Sequence, residues 1–328
     1  MRALFSAMVA LGAGICVGFP AAAQHAEPAR VGLLSLHSLE QENAVGTGAS
    51  AFRRGMQALG YREGQNLIIH ERHAEGDRAR LQSLAAELVS ARIAVIVAVG
   101  TDAIEAARET TSSIPIVMAG VGDPLASGFA ASLARPGGNM TGIAIWGDEA
   151  AQKQLEALKE AAPQVRKVGV LRLRSSAHDR RFERLEDTAA RLGLSLIGAE
   201  IANADDLPTQ FAHLISSGAE AFVVLANPSL DDLRGRIAEL GLLHKLPGAG
   251  HQPYYVRAGF LLSYGPSLAD LHARSATYVD KILKGAKPSD VPIEQAERFT
   301  LAVNQRTANA LGLTIPPTLL ARADEVIE

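Results

Sequence analysis

The feature that most restricts the fold of this chain is an alternation. Short apolar runs rich in β-branched residues are followed repeatedly by longer stretches whose apolar residues recur every three or four positions. Val31-Gly32-Leu33-Leu34 reads as a first strand, and 48–59 as a helix closed by Gly60. Residues 66–71 read as a strand, and 79–90 as a helix with Leu81, Leu84, Ala85 and Leu88 on one face. Residues 94–99, AVIVAV, are apolar throughout, as a strand covered on both faces has to be. A helix over 102–110 and strands over 114–119 and 140–145 complete a first half. The rhythm restarts with helix 149–162, strand 167–173, helix 178–192, strand 194–200, helix 206–217, strand 221–225 and helix 230–240. A strand over 259–263, a helix over 268–283, a strand over 299–303 and a helix over 307–311 follow. This spacing predicts α/β architecture with parallel sheets and helices on both faces. About ten strands suit two sheets of about five better than one, with the first passage between them near 145–148.

The N-terminus reads as an export signal. Arg2 precedes an uncharged apolar stretch, Ala3 to Phe19, which Pro20 ends, and Ala21-Ala22-Ala23 offers a small-x-small cleavage site. The stretch is shorter than the ~20 residues of a membrane span and holds Gly12, Gly14 and Gly18, so cleavage after Ala23 is expected over a retained anchor. The one cysteine, Cys16, lies inside this segment. Ile15 before it fits poorly with the small residue a lipid-anchor site wants, so a lipid anchor is the lesser alternative. Downstream of Ala23 no disulfide, thiol nucleophile or thiolate metal site is available. With 32 basic against 35 acidic residues and a net charge of −3, nothing resembles an electrostatic footprint for nucleic acid.

Sequence motifs for catalysis are missing. There is no GxxxxGK[ST] phosphate loop, no GxSxG elbow and no HExxH. No cofactor or metal is implied: His70 and His73 lack further ligands beside them, and Glu71, Arg72 and Asp77 read as a solvated loop. Asn139-Met140-Thr141 fits a glycosylation sequon by chance.

In open parallel sheets ligands lie beyond the carboxyl ends of the strands. The residues there are Ser35 to Ser38, Gly100-Thr101, Gly120 to Asp123, Trp146, Arg174 to Ser176 and Asn227-Pro228-Ser229, with Tyr254, Tyr255 and Tyr264 later. Gly100 allows close backbone approach, and Thr101 reads as an N-cap in front of a helix whose N-terminus suits an anionic group. Asp123 can hold an ammonium, and Trp146, Tyr254 and Tyr264 can stack on an apolar or cationic ligand. Together these suit an amino-acid-like zwitterion. Plainer readings stand beside them: Thr101 as a cap only, Asp123-Pro124 as a turn opener, Asn227-Pro228-Ser229 as a helix entry, and Trp146 as core.

Several segments resemble the ABC transporter substrate-binding family, whose better-known members are tryptophan/tyrosine-type binding proteins. They are Leu59-Gly60-Tyr61-x-Glu63-Gly64-Gln65-Asn66, 84–89 (LAAELV), Gly100-Thr101, Ile114-Pro115-Ile116-Val117, Gly122-Asp123-Pro124 and 132–142 (SLARPGGNMTG). Further on come Ser263-Tyr264-Gly265-Pro266, 278–288 (YVDKILKGAKP) and 310–316 (ALGLTIP). The resemblance implies a type I periplasmic-binding-protein fold: two Rossmann-like lobes joined by a multi-crossover hinge. It implies a signal peptide over 1–23, an N-terminal lobe of 29–145 plus about 264–300, and a C-terminal lobe of 146–263 plus about 301–328. The implied function is not catalysis but the exported, periplasmic solute-binding component of an ABC importer. It would bind a small polar or amino-acid-like solute between the lobes and deliver it to a membrane permease. The ligand contacts expected are Ser35, Ser38, Gly100, Thr101, Asp123, Trp146, Ser175, Asn227, Tyr254 and Tyr264. Gly100, Thr101 and Asp123 lie on family motifs, whereas the loop from Ser35 to Gln41 departs from the histidine- and proline-containing segment of members that bind aromatic amino acids. A ligand-sensing module for a membrane receptor and a small exported enzyme are the alternatives.

Overall fold

A computed structural model describes residues 27–37, 48–145 and 147–328, excepting the side chains of 147, 148, 176, 177 and 228. The export signal, Cys16, Ser38 and Trp146 therefore lie outside the described residues. No helix among those described is long and apolar enough to cross a membrane.

Two separate sheets form. The first takes β1 (Ala29–Ser35), β2 (Leu67–His73), β3 (Val95–Val99), β4 (Ile116–Val121), β5 (Met140–Ala144) and the two-residue β11 (Glu294–Gln295), in the order β11-β5-β4-β3-β1-β2. Every pairing in it is parallel. The crossover helices are α1 (Gly48–Ala58), α2 (Arg78–Ser90) and α3 (Gly100–Thr110). On one face of this sheet α2 and α3 bury Leu84, Leu88 and Ile104 against Leu34, Ile96 and Met118. On the other, α1 lies beside α10 (Leu268–Leu283), and Phe52, Met56, Leu271, Tyr278 and Val279 cover Val31, Leu33, Val97 and Val117. Gly55 is what lets α1 and α10 touch: a Cβ there would stand 2.4 Å from the Ala273 carbonyl oxygen.

The second sheet takes β6 (Lys167–Leu173), β7 (Ser195–Ile201), β8 (Ala221–Val224), β9 (Gly248–Gly250), β10 (Leu262–Pro266), β12 (Phe299–Asn304) and β13 (Glu325–Ile327), in the order β13-β12-β10-β9-β8-β6-β7. Around it lie α4 (Gly147–Ala161), α5 (Ser176–Arg191), α6 (Asp206–Ser216), α7 (Pro228–Asp232), α8 (Arg234–Leu243), α9 (Pro253–Ala258), α11 (Gln305–Ala310) and α12 (Pro317–Arg322). Here the expectation of purely parallel strands fails, because β12 runs antiparallel to β10. The cause is the path between them: after Pro266 the chain visits the first sheet through α10 and β11 and re-enters from the side it left.

The chain thus passes between the sheets three times, around 145–147, 266–268 and 295–299. The second and third passages are tied together by a 2.8 Å hydrogen bond from Ser267 N to the Arg298 carbonyl. Two readings are corrected by the structure. Glu71 and Arg72 are not in a solvated loop but in β2, half-buried, with Glu71 held by Arg53 and by His73 at 3.1 Å. The single helix expected over 230–240 is two, α7 and α8, meeting at Leu233.

Candidate functional site

The carboxyl ends of the two sheets meet. His37, two residues past β1, brings Nε2 to 4.0 Å from Oδ2 of Asp231 in α7. Beyond β4, a Cβ on Gly122 would lie 3.0 Å from an Arg181 Nη2 of α5. Beyond β2, a Cβ on Gly76 would lie 3.3 Å from Asp232 Oδ2. Three strand ends of one sheet therefore touch the loops and helices behind two strand ends of the other.

Asp231 is the centre of this junction on the second sheet. It is 6% exposed, and its carboxylate accepts from the Tyr255 hydroxyl at 2.7 Å and the Tyr254 hydroxyl at 2.9 Å. His251, the residue after β9, places Nε2 3.2 Å from Asp231 Oδ1. Burial pushes the Asp231 carboxyl upward, yet His251, His37 and the Tyr255 hydroxyl outweigh it and hold the group below its ordinary range. Burial and the Asp231 charge push both tyrosines well above theirs. The cluster is thus an anion ringed by two tyrosine hydroxyls and a histidine nitrogen, the partners a buried carboxylate requires.

Local sequence sets this geometry. Asn227 caps α7 by accepting from Ser229 N at 2.9 Å, with Pro228 in the first turn, and the short helix carries Asp231 back under the sheet end. Pro253 opens α9 and puts Tyr254 and Tyr255 one turn from His251. Ser175 caps α5 by accepting from His178 N at 3.3 Å. His178 in turn accepts from Leu173 N at 2.8 Å, and burial, with the Arg181 charge adding to it, pulls its imidazole down to about 4.

The expected contact residues separate into groups. Tyr254 is in the junction cluster, and Ser175 and Asn227 cap the helices that deliver Arg181 and Asp231. Gly100 opens α3 with φ +77°, and among the described residues no atom beyond its chain neighbours and its own helix lies within 4 Å of where its Cβ would be. Thr101 is not the N-cap: Val99 takes the cap position before Gly100 and makes no side-chain cap hydrogen bond. Ser35 is fully buried, and its hydroxyl accepts from His37 N at 3.2 Å. Asp123 spends one carboxylate oxygen on its own turn, accepting from Leu125 N at 3.1 Å and Ala126 N at 2.9 Å. Tyr264 stacks on Phe299 with ring centres 5.6 Å apart, in a groove with Lys153, Leu319 and Arg322 that contains none of the junction residues. Asp231, His251 and Arg181 escaped the reading of strand ends. Asp231 and Arg181 sit inside helices, several residues past the strand, and His251 follows a Gly-Ala-Gly strand too short and too small to show a period.

Comparison with known proteins agrees with this architecture. The family described as ABC transporter substrate binding protein matches residues 41–327. A tyrosine-binding protein of Clostridioides difficile is 24% identical over 281 residues, covering 85% of this chain and 81% of that protein. Among solved structures, an ABC domain from Streptococcus pneumonia in complex with L-Trp shares 25% identity and a TM-score of 0.82, covering 92% of this chain and 100% of that one. A conserved domain protein from Vibrio cholerae gives 26% and 0.83, again with 92% and 100% covered. The ligand-free, open structure of a substrate binding protein with adhesive properties from Clostridium difficile gives 23% and 0.71, with 91% and 99% covered.

Proposed function

From the premise that the chain belongs to the ABC transporter substrate binding protein family, we propose that its two lobes close on one small zwitterionic, amino-acid-like solute held at the facing strand ends. The fold is of the type I periplasmic-binding-protein kind, and such proteins bind a solute and pass it to a membrane permease. Substrate-binding proteins of ABC systems are extracellular or periplasmic. For this chain we infer export through a leader cleaved after Ala23, release into the periplasm, and no turnover of the solute. We also take the three passages between the sheets as the lobe boundaries.

The observation that carries the reading is the meeting of both sheets' carboxyl ends, with His37 against Asp231 and Gly122 against Arg181. The first sheet offers backbone at Gly100 and the uncapped start of α3, which suit a carboxylate. The second offers aromatic rings and polar side chains for the remainder of the solute. Closure then follows from contacts shared by both lobes, since a ligand shifts an equilibrium only through differential affinity for the two states.

The test is a thermal-melt screen of the purified protein against the twenty amino acids, with mass spectrometry of the small molecules it releases on denaturation. A bound amino acid at 100 times its Kd stabilises the native state by roughly 2.7 kcal/mol. The reading fails if no amino acid raises the melting temperature and the released molecules include none.

A further inference from the structure

We propose that the second lobe carries a second binding site, away from the junction, for a planar aromatic amine. It lies in the groove where α4 and α12 flank β10 and β12, and it is built around Tyr264, an expected contact residue that stands apart from the junction. Nothing in it depends on the lobes closing.

The floor of the groove is aromatic and apolar. Tyr264 pairs with Leu301 across β10 and β12, and Phe299 lies two residues before Leu301, so the three side chains share one face of the sheet. The rings of Tyr264 and Phe299 stack nearly flat, with 12° between their planes and 5.6 Å between their centres, and make one continuous shelf. Leu301 and Leu319 are buried beside it, while both rings are only half-buried. The groove encloses about 370 Å³, within the roughly 300–1,000 Å³ of small-molecule pockets. Half-buried rings lining a space of that size leave aromatic area for a third ring to cover, and offset stacking is the arrangement such rings prefer.

The rim decides the charge of the guest. Lys153 Nζ is paired with Glu156 at 2.7 Å and Arg322 with Glu160, so both cations already have their anions. Glu160 also accepts from the Thr318 hydroxyl at 3.1 Å. Asp324 is the third acid. Its Oδ2 accepts from Leu301 N at 2.9 Å, which ties the carboxylate to the floor strand, and no cationic side chain pairs with it among the described residues. Three acids against two bases leave the rim with one negative charge in surplus. An ammonium is drawn both to that surplus and to the faces of the rings. A carboxylate is turned away, so the guest differs from the zwitterion proposed for the junction.

The experiment uses the purified full chain and two probes that share a ring and differ in charge, tryptamine and indole-3-acetate. Saturation-transfer NMR titrations at neutral pH read the dissociation constant of each. Tryptamine is expected to bind, and indole-3-acetate about tenfold more weakly, since attraction at the rim becomes repulsion. Tyr264→Leu keeps an apolar floor but removes half the shelf, and should weaken tryptamine about tenfold, the scale of one aromatic contact with its buried area. Asp324→Asn keeps an oxygen for Leu301 N and removes only the charge. It should weaken tryptamine about threefold, the scale of an exposed charge contact, and narrow the gap between the two probes. Should Tyr264→Leu also lower the melting temperature, Asp324→Asn decides. The site is overturned by no saturation of tryptamine at millimolar concentration, by equal binding of the two probes, or by a tryptamine affinity that Asp324→Asn leaves unchanged. An affinity indifferent to Tyr264→Leu in a chain that melts normally overturns it too and puts the amine elsewhere.

Discussion

The two lobes meet the gap with opposite materials. Apart from His37, the first lobe brings backbone: Gly76, Gly100 and Gly122 stand where its strands end, and Val99 at the start of α3 makes no side-chain cap. The second lobe brings side chains, with Arg181, Asp231, His251, Tyr254 and Tyr255 locked to one another or to their own main chain. One surface is shaped by leaving atoms out, the other by fixing polar atoms in. Bare backbone costs little to desolvate when it gains a partner, whereas a buried carboxylate needs its donors at all times. Stability should therefore be far more sensitive to substitution on the second lobe, and closure sensitive on both.

The sharpest way to break that contrast is Asp231→Ala. It strands two buried tyrosine hydroxyls and removes an anion from its donors, and should cost roughly 3–5 kcal/mol in urea unfolding. A loss under about 1 kcal/mol would mean that the second lobe's junction is as solvated as the first's. Next comes acid sensitivity. His178 is held neutral, its imidazole pulled down to about 4, whereas in an unfolded chain a histidine titrates near 6.5. Between those values the unfolded state takes up a proton that the native state refuses, so stability falls as pH drops from about 6.5 to 4, by up to roughly 3 kcal/mol. His178→Gln should flatten that part of the profile, and an unchanged slope would place the acid-labile group elsewhere. The smallest expected effect belongs to the first lobe. The leucine of Gly122→Leu must displace the Arg181 guanidinium for the two lobes to meet. It should leave the melting temperature within about 2 °C and lower the closed fraction, read as a spin-label distance between the lobes, about tenfold, the equivalent of ~1.4 kcal/mol of overpacking. A large drop in melting temperature instead would erase the difference between the lobes.

Much of the layered fold could be read from periodicity, because buried parallel strands such as Val95–Val99 and amphipathic helices such as α2 announce themselves within a single segment. What could not be read depends on partners remote in sequence. The antiparallel entry of β12 follows from the detour through α10, and β9 and β13, at three residues each, are strands only because a neighbour pairs with them. The same divide runs through the site. Gly100 was legible as a glycine between a strand end and a helix start. That Thr101 would not be the cap was not legible, since where a helix's first turn begins depends on backbone dihedrals and not on residue type. Tyr264 looked equivalent to Tyr254, yet it stacks on Phe299 in a different groove, because strand alternation fixes which face its ring takes. Asp231 was invisible as a site residue: an acid one turn into a short helix reads as surface until the tyrosines of α9 are folded over it.

The helix pair α1–α10 has a consequence for synthesis. When the nascent chain has delivered β5, ending at Ala144, every long strand of the first sheet exists, but one of its faces waits for Leu271, Tyr278 and Val279 of a helix that starts at Leu268. At about 5–20 residues per second the ribosome needs roughly 6–25 s to make the intervening stretch. During that interval Val31, Leu33, Val97 and Val117 lack part of their cover, and the half-built protein is a client for any chaperone it meets.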